Sequence, residues 1–458
     1  MLAKAHVTKL IDSMPNPVEN PLTMDSPYWS LVMGFEHERI HLETSAVLIH
    51  QLPIDAVTRP EGWTYAPSHA ASPEAAPVNA LITVPAGRAT LGKPRDFPSF
   101  GWDNEYGRRD VDVPEFAASK YLVSNGEFYP FVMANGYETK RYWIAEDGDD
   151  EGWRWVTYRN AKHPSFWVAT ADMPEYFGGR PEYPYQKDDG HPKAGKGKQF
   201  KYRAMFDVRM ITPLAFFDSG GHAVFLKFDL FLLLVRSQII DMPWDWPVEV
   251  NCLEAKAFLR WKVSCHKEQS FTAKIVYVQW VAQGEQDKAV YRLPTEAEYF
   301  LCRADPSPYD GVKAEGESKE KEASQARAVG PAAGRSERLP EKNAAGYDDA
   351  AKVDVIMQEE APGNLNLRFG SSSPVDMFPP SAAGFHDTHG NVWEWAEDHF
   401  APFPGTQVHY LYDDFSAPCY DGWHSLILGG SWVSTGDLAS SFARYHFRRH
   451  FFQHLGFR

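Results

Sequence analysis

The chain has 458 residues, of which 43% are hydrophobic and 14% aromatic, so it holds enough apolar material for more than one ordinary domain core. Its formal net charge of −15 argues against a nucleic acid or an anionic membrane as a partner, because both select basic surfaces. Four cysteines do not make a disulfide scaffold in a chain of this length, and the first residues lack the apolar core of a signal peptide, so we expect a cytoplasmic protein. The most apolar stretch, 223–240, is interrupted by Lys227, Asp229 and Arg236, which argues against a membrane-spanning helix.

The predicted elements change character along the chain. Apolar residues at helical spacing predict helices over 3–14 and 28–52, with Asn-Pro pairs between them. Residues 53–79 carry five prolines and predict a linker or an extended crossing segment. From residue 80 onward, short apolar strings separated by turn residues predict a mixed domain of short strands, and the charged, Ala-rich segment 311–343 predicts a surface loop.

The second predicted helix carries the first chemical signal, two histidines four residues apart. On a helix, His37 and His41 lie on one face and can present two imidazoles to one metal ion, although two such histidines can also share a face without any function. The motif also reads H-E-x-x-H, in which Glu38 would be the general base of a zinc protease and Glu61 a possible third ligand. Glu43 lies about 200° around the helix from His41, so we expect it to support the site or to hold a neighbouring element by hydrogen bonds.

A second signal lies in the carboxy-terminal half, where four strings follow one another. They are Arg292–Glu298 (RLPTEAE), His389–Trp395 (HGNVWEW), Gly429–Trp432 (GGSW) and Leu455–Arg458 (LGFR). In this order they resemble the formylglycine-generating-enzyme (sulfatase-modifying factor) domain, a variant of the C-type lectin fold, and the resemblance covers about 81–458. We expect the glycines to permit tight turns and the tryptophans to form a core. Residues 431–458 contain no cysteine, whereas formylglycine generation uses a cysteine pair there, so that activity is excluded.

Together, the two signals resemble the iron-dependent sulfoxide synthases of thiol-histidine biosynthesis. The strings at 24–53, 410–422 and 429–458 are similar to the branch that makes 5-histidylcysteine sulfoxide for ovothiol. The resemblance implies an α+β fold, in which a truncated DinB-like helical segment precedes the formylglycine-generating-enzyme-like domain. The expected division is 1–55 for the helical segment, 56–80 for a linker and 81–458 for the domain, with insertions near 208–241, 263–285 and 311–343.

The resemblance also implies a chemistry and a set of residues. Fe(II) and O2 would join the sulfur of cysteine to the imidazole of histidine and oxidise that sulfur. His37 and His41 would be two of the iron ligands, and Tyr412 would be the catalytic tyrosine, unless it is only a packing residue. Arginine forks bind carboxylates, so Arg444 and Arg448 are expected to bind substrate, with Tyr445 and His446 beside them. The alternative for both arginines is an ion pair with the protein's own acids.

The chain departs from this family in its first residues. The family carries a third iron-binding histidine on an earlier helix, but only 36 residues precede His37 and His6 has no matching context. We therefore expect a two-histidine site that binds iron more weakly, and a helix at 28–52 whose apolar face is partly uncovered. A non-catalytic lectin-like binding or scaffold protein is the main alternative, and the zinc protease is another.

Overall fold

The computed structural model describes residues 2–15, 22–52, 57–170, 200–206, 239–268, 291–309, 361–452 and 454–458. Within these ranges the helices are α1 (Leu2–Asp12), α2 (Trp29–Gln51), α3 (Asn125–Met133), α4 (Glu151–Arg159), α5 (Cys252–Glu268) and α6 (Glu296–Arg303). The first two agree with the helices predicted from apolar spacing.

The strands are short, as the sequence predicted. They are β1 (Leu81–Val84), β2 (Gly87–Leu91), β3 (Arg109–Val113), β4 (Phe116–Ser119), β5 (Trp167–Ala169), β6 (Phe200–Arg203), β7 (Ile239–Asp241), β8 (Trp393–His399), β9 (His424–Leu428), β10 (Tyr445–Arg448) and β11 (Leu455–Gly456). The largest sheet has the order β10-β9-β8-β11, in which β11 runs parallel to β8 and the other neighbours are antiparallel. A second sheet has the order β5-β6-β7, while β1 pairs with β4 and β2 with β3.

The sequence strings of the carboxy-terminal half form the centre of this fold. Trp393 and Trp395 are fully buried on β8. Gly429 has φ of +92°, and a Cβ there would lie 2.3 Å from the Tyr299 hydroxyl, so this turn requires glycine. The terminal Arg458 is 2% exposed and pairs with Glu394 of β8 at 2.8 Å. These residues act as structural markers, as the sequence indicated.

The predicted linker crosses the domain surface as an ordered segment. The Asp245 carboxylate accepts hydrogen bonds from the Ser68 hydroxyl at 2.5 Å and from the backbone N–H groups of His69 and Ala70 at 2.6 and 3.2 Å. The Trp246 indole donates to the Pro67 carbonyl at 3.0 Å. Residues 57–80 therefore pack as an extended crossing segment, which was one of the two forms predicted.

The three predicted insertions fall largely outside the described residues. This holds for 311–343 entirely, for 208–238 of the first insertion and for 269–285 of the second. The apolar stretch 223–240 likewise lies there except for its last two residues. The remainder of the first insertion contributes β7, and residues 263–268 form the last part of α5.

Helix α2 lies on the domain by one face. Trp29, Ile40 and Val47 are buried on that face, together with three polar residues, Glu36, Glu43 and His50. The opposite side exposes large apolar side chains, since Phe35, Leu42 and Leu48 are 46%, 42% and 62% accessible. The partly uncovered helix expected from the sequence is thus present, but a four-helix DinB-like bundle is not confirmed by the described residues.

Candidate functional site

His37 and His41 lie beside the buried face of α2, and His37 is about 60° around the helix from the buried Ile40. Their ring centroids are 4.6 Å apart, as expected for imidazoles one helical turn apart. His37 is half-buried and His41 is exposed. Both rings are therefore close enough to bind one ion, and the site opens to solvent on the His41 side.

Tyr412 reaches this pair from the loop between β8 and β9. Its hydroxyl lies 3.3 Å from Nε2 of His37, and the two ring centroids are 5.6 Å apart. Burial raises the pKa of Tyr412, so the phenol keeps its proton at neutral pH. The structure thus brings together the two expected iron ligands and the expected catalytic tyrosine, across 375 positions of sequence.

Aromatic rings hold the Tyr412 loop in place. Phe415 stacks on Trp102 at a centroid distance of 4.2 Å, and Trp102 lies 5.9 Å from the Tyr412 ring. His409 stacks on Trp29 of α2 at 3.7 Å. Sequence reasoning missed Trp102 and His409, and only the high aromatic content hinted at this kind of packing. The stacking couples the loop directly to the helix that carries His37 and His41.

Glu43 anchors α2 to the domain. It is fully buried, and its carboxylate accepts hydrogen bonds from the Trp393 indole at 3.0 Å, the Ser431 hydroxyl at 2.6 Å and the Ser434 hydroxyl at 2.8 Å. These donors belong to the HGNVWEW and GGSW strings and the turn that follows. Of the two roles expected for Glu43, the geometry favours holding the helix on its neighbour over contacting the ligands.

His50 forms a further attachment near the end of α2. Its Nε2 lies 2.7 Å from the Arg203 carbonyl oxygen, and its ring stacks on Phe166 at 3.7 Å. Burial lowers the pKa of His50 to about 3, so this imidazole is neutral in the folded protein at neutral pH. Glu43 and His50 thus hold the second half of α2 on the domain by polar contacts.

The arginines expected to bind substrate have different surroundings. Arg444 is 7% exposed and binds Glu296 at 2.6 Å, while its other nitrogens donate to the carbonyls of Asn104 and Ala401. The guanidinium of Arg444 is thus committed inside the fold, which favours the ion-pair alternative and corrects the expectation of a free carboxylate-binding fork. Arg448 has an exposed side chain, 3.7 Å from Asp421.

Tyr445 and His446 also lie on β10, on opposite faces of the strand. Tyr445 is buried and packs at 5.9 Å from Trp393, so it is a core residue in this arrangement. His446 packs at 4.2 Å from Phe400 and points towards β9, where its ring lies 5.1 Å from that of His424. Within the described parts of the chain, neither residue forms a hydrogen bond or a ring contact with His37 or His41.

His37 and His41 offer ligand atoms of a type that binds Fe(II), and together they supply two protein ligands. Imidazole nitrogen is a common ligand of non-haem iron. Within the described ranges, groups of three convergent metal-binding side chains occur in two places, and neither includes His37 or His41. None of the described helices combines the length and apolar composition needed to cross a bilayer.

Comparison with known proteins finds relatives that match most of the chain. The chain is 25% identical over 76% of its length to hercynine oxygenase of Mycobacterium tuberculosis, covering 54% of that protein. It is 24% identical over 96% of its length to hercynine oxygenase of Mycolicibacterium smegmatis, covering 72% of it. It is also 22% identical over 93% of its length to ergothioneine biosynthesis protein 1 of Neurospora crassa, covering 42% of that protein.

The chain spans about half the length of the first two hercynine oxygenases it matches, at 54% and 49%. The family model of the sulfatase-modifying factor enzyme 1-like domain matches residues 67–195 and 235–458. These ranges include all four carboxy-terminal strings and begin inside the predicted linker. The chain therefore belongs to the sulfatase-modifying factor enzyme 1-like domain family, and its resemblance to the ovothiol and ergothioneine sulfoxide synthases is confirmed.

Proposed function

We propose that this chain is a non-haem iron, O2-dependent sulfoxide synthase that joins cysteine to the imidazole of histidine. The observation that carries the proposal is the meeting of His37, His41 and Tyr412 at one end of the interface between α2 and the domain. Relatives named hercynine oxygenase support the same class of chemistry.

The reaction balances with one O2. Cysteine loses its thiol hydrogen, histidine loses its C5 hydrogen, and a carbon–sulfur bond forms between them. One oxygen atom is added to sulfur, and the other leaves as water with the two hydrogens. Both oxidations, the coupling and the sulfoxidation, take two electrons, which together reduce O2 completely.

The residues of the chain have separate tasks in this scheme. His37 and His41 would hold Fe(II), which supplies O2 activation when bound. The Tyr412 hydroxyl lies next to Nε2 of His37 and keeps its proton at neutral pH, so it is placed to hold or deliver a proton beside the reacting groups. Glu43 fixes the position of the helix through Trp393, Ser431 and Ser434.

The choice of the ovothiol branch rests on the long strings at 24–53, 410–422 and 429–458. In that branch the acceptor is histidine itself, whereas the relatives named above are hercynine oxygenases. Arg448, with its exposed guanidinium, is the candidate for binding a substrate carboxylate, because Arg444 is occupied by Glu296.

The main competing function is a non-catalytic binding or scaffold protein, and one observation favours it. A site with two imidazoles and no third convergent ligand among the described residues binds iron less tightly than a complete site. The zinc protease has weaker support. It uses only His37, Glu38 and His41, and Glu38 is exposed on α2.

The test is oxygen uptake by the full chain loaded anaerobically with Fe(II). Uptake that requires both cysteine and histidine, with a product whose mass equals the two substrates plus O2 minus water, supports the proposal. Replacing histidine by hercynine separates the two branches. The His37→Ala/His41→Ala variant should lose the activity, and His6→Ala, an exposed histidine on α1, is the matched control. Folded protein that binds no iron supports the scaffold, and peptide cleavage with zinc supports the protease.

A further inference from the structure

A second group of metal-binding side chains lies where the Tyr412 loop meets the β9–β10 hairpin. Cys419 lies near the end of that loop, His424 begins β9 and His446 lies on β10. Their ligand atoms all lie within 4.8 Å of one another. Because His424 pairs with Arg448 and His446 with Leu426, the two histidines project from the same face of the hairpin, two positions apart.

The hydrogen bonds of this group leave its ligand atoms available. The Asp421 carboxylate accepts from Nδ1 of His424 at 2.9 Å, which leaves Nε2 with its lone pair free. A carboxylate that orients a histidine in this way is the usual support of a metal-binding imidazole. Both ring nitrogens of His446 are buried without a hydrogen-bond partner among the described residues. Burying an imidazole without a hydrogen bond costs free energy, so a ligand that binds one of these nitrogens would offset that cost.

We propose that Cys419, His424 and His446 bind one Zn²⁺ ion, with a fourth position open to water. One thiolate and two imidazoles are a typical zinc donor set, and Cys419 and His424 are partly exposed, which gives the ion access to the group from solvent. Ligands around tetrahedral zinc lie roughly 3.3–3.8 Å apart, so the side chains must close by about 1 Å. The Asp421 carboxylate supplies a negative charge beside the three ligands, 3.7 Å from Arg448. Binding of the ion would displace the proton of the Cys419 thiol.

The other convergent group, formed by His50, Glu249 and His454, is a less suitable site. It is fully buried at the α2 interface. Its carboxylate is already used, because one oxygen of Glu249 accepts from Tyr202 and Ser372 at 3.0 Å each and the other lies 3.2 Å from Nδ1 of His454. These three side chains belong to a hydrogen-bonded network that joins α2 to the domain.

Zinc bound by Cys419, His424 and His446 would connect the Tyr412 loop to the largest sheet. Ser416–Cys419 lies a few residues beyond Tyr412, and the ring of Phe415 lies 6.0 Å from Tyr412 and 6.4 Å from His446. The ion is thus expected to position the loop rather than to take part in the proposed chemistry at His37 and His41.

The experiment uses the full chain carrying His37→Ala and His41→Ala, so that the first pair does not bind the added metal. The protein is stripped with a chelator and titrated with Co²⁺, and then with Zn²⁺ in competition. We expect one Co²⁺ per chain, a thiolate-to-cobalt charge-transfer band, and displacement of the cobalt by zinc. A folded protein that gives no such band, or that binds no stoichiometric metal, overturns the proposal.

Substitutions in this background locate the ion. Cys419→Ser should abolish the charge-transfer band, whereas Cys265→Ser on α5, also a partly buried cysteine outside any disulfide, should leave it intact. Asp421→Asn keeps all three ligands and should weaken zinc binding by about 10–100-fold through loss of the orienting carboxylate. A band that survives in Cys419→Ser overturns the assignment, and the Asp421 variant supplies the same test if the serine variant does not fold: unchanged affinity there contradicts the proposal.

Discussion

Removing the Glu43 carboxylate tests whether this side chain holds α2 on the domain. Glu43→Ala leaves three buried donors, the Trp393 indole and the hydroxyls of Ser431 and Ser434, without their acceptor. Each stranded donor costs about 1–3 kcal/mol, and water entering the vacated space recovers part of that cost. We therefore expect a loss of roughly 3–6 kcal/mol in the free energy of unfolding, or detachment of the helix before global unfolding.

The assay is urea unfolding of the full chain, followed by limited proteolysis of the native protein. Glu38→Ala on the exposed side of the same helix is the matched control, and it should change the free energy of unfolding by less than about 0.5 kcal/mol. Glu43→Gln keeps one acceptor oxygen and should fall between the two. Equal stability and equal protease resistance in Glu43→Ala and Glu38→Ala would refute the anchoring role.

Three further predictions concern α2 and its partner tyrosine. His41→Ala should lose bound iron because one of two ligands is gone; iron content after dialysis, with His6→Ala as control, checks this, and unchanged iron removes the assignment. Tyr412→Phe should keep iron but shift the products towards simple cysteine oxidation, because the hydroxyl beside His37 is lost; an unchanged product ratio by mass spectrometry contradicts its role. The pKa of His50 falls from 6.5 to about 3 on folding. Below pH 6.5 the unfolded chain therefore binds a proton at His50, whereas the native state does not bind it until the pH nears 3. Stability should then fall by about 1.4 kcal/mol per pH unit towards pH 3, and His50→Gln should make this slope shallower in urea unfolding between pH 7 and 4.5; an unchanged slope would show that His50 is not the titrating group.

Local patterns in the sequence were sufficient for the elements that depend on local physics. The helix over 28–52 was predicted from spacing and the absence of proline, and α2 runs from Trp29 to Gln51. The buried Trp393 and Trp395 were expected from the HGNVWEW string. His37 and His41 were identified as a pair because their proximity follows from one helical turn.

Contacts between distant segments were beyond such reasoning. Arg444 was expected to face a substrate, but its partner Glu296 lies 148 positions earlier, and nothing near Arg444 reveals that ion pair. The stacking of His409 on Trp29 and the convergence of Cys419 with His446 likewise depend on the folded chain. The buried face of α2 includes Glu36, Glu43 and His50, so hydrophobicity alone could not show which side meets the domain.

The position of the two imidazoles on a helix that the domain holds by one face has a thermodynamic consequence. Glu43 and His50 attach α2 to the domain, while His37 and His41 lie beside the attached face of the helix. If an ion binds more tightly when α2 is attached to the domain, its binding stabilises the attached helix by that difference in binding free energy. Conversely, attachment of the helix increases the affinity for the ion by the same factor. Metal affinity and the attachment of the helix are therefore reciprocal properties, and a change in one can be read out by measuring the other.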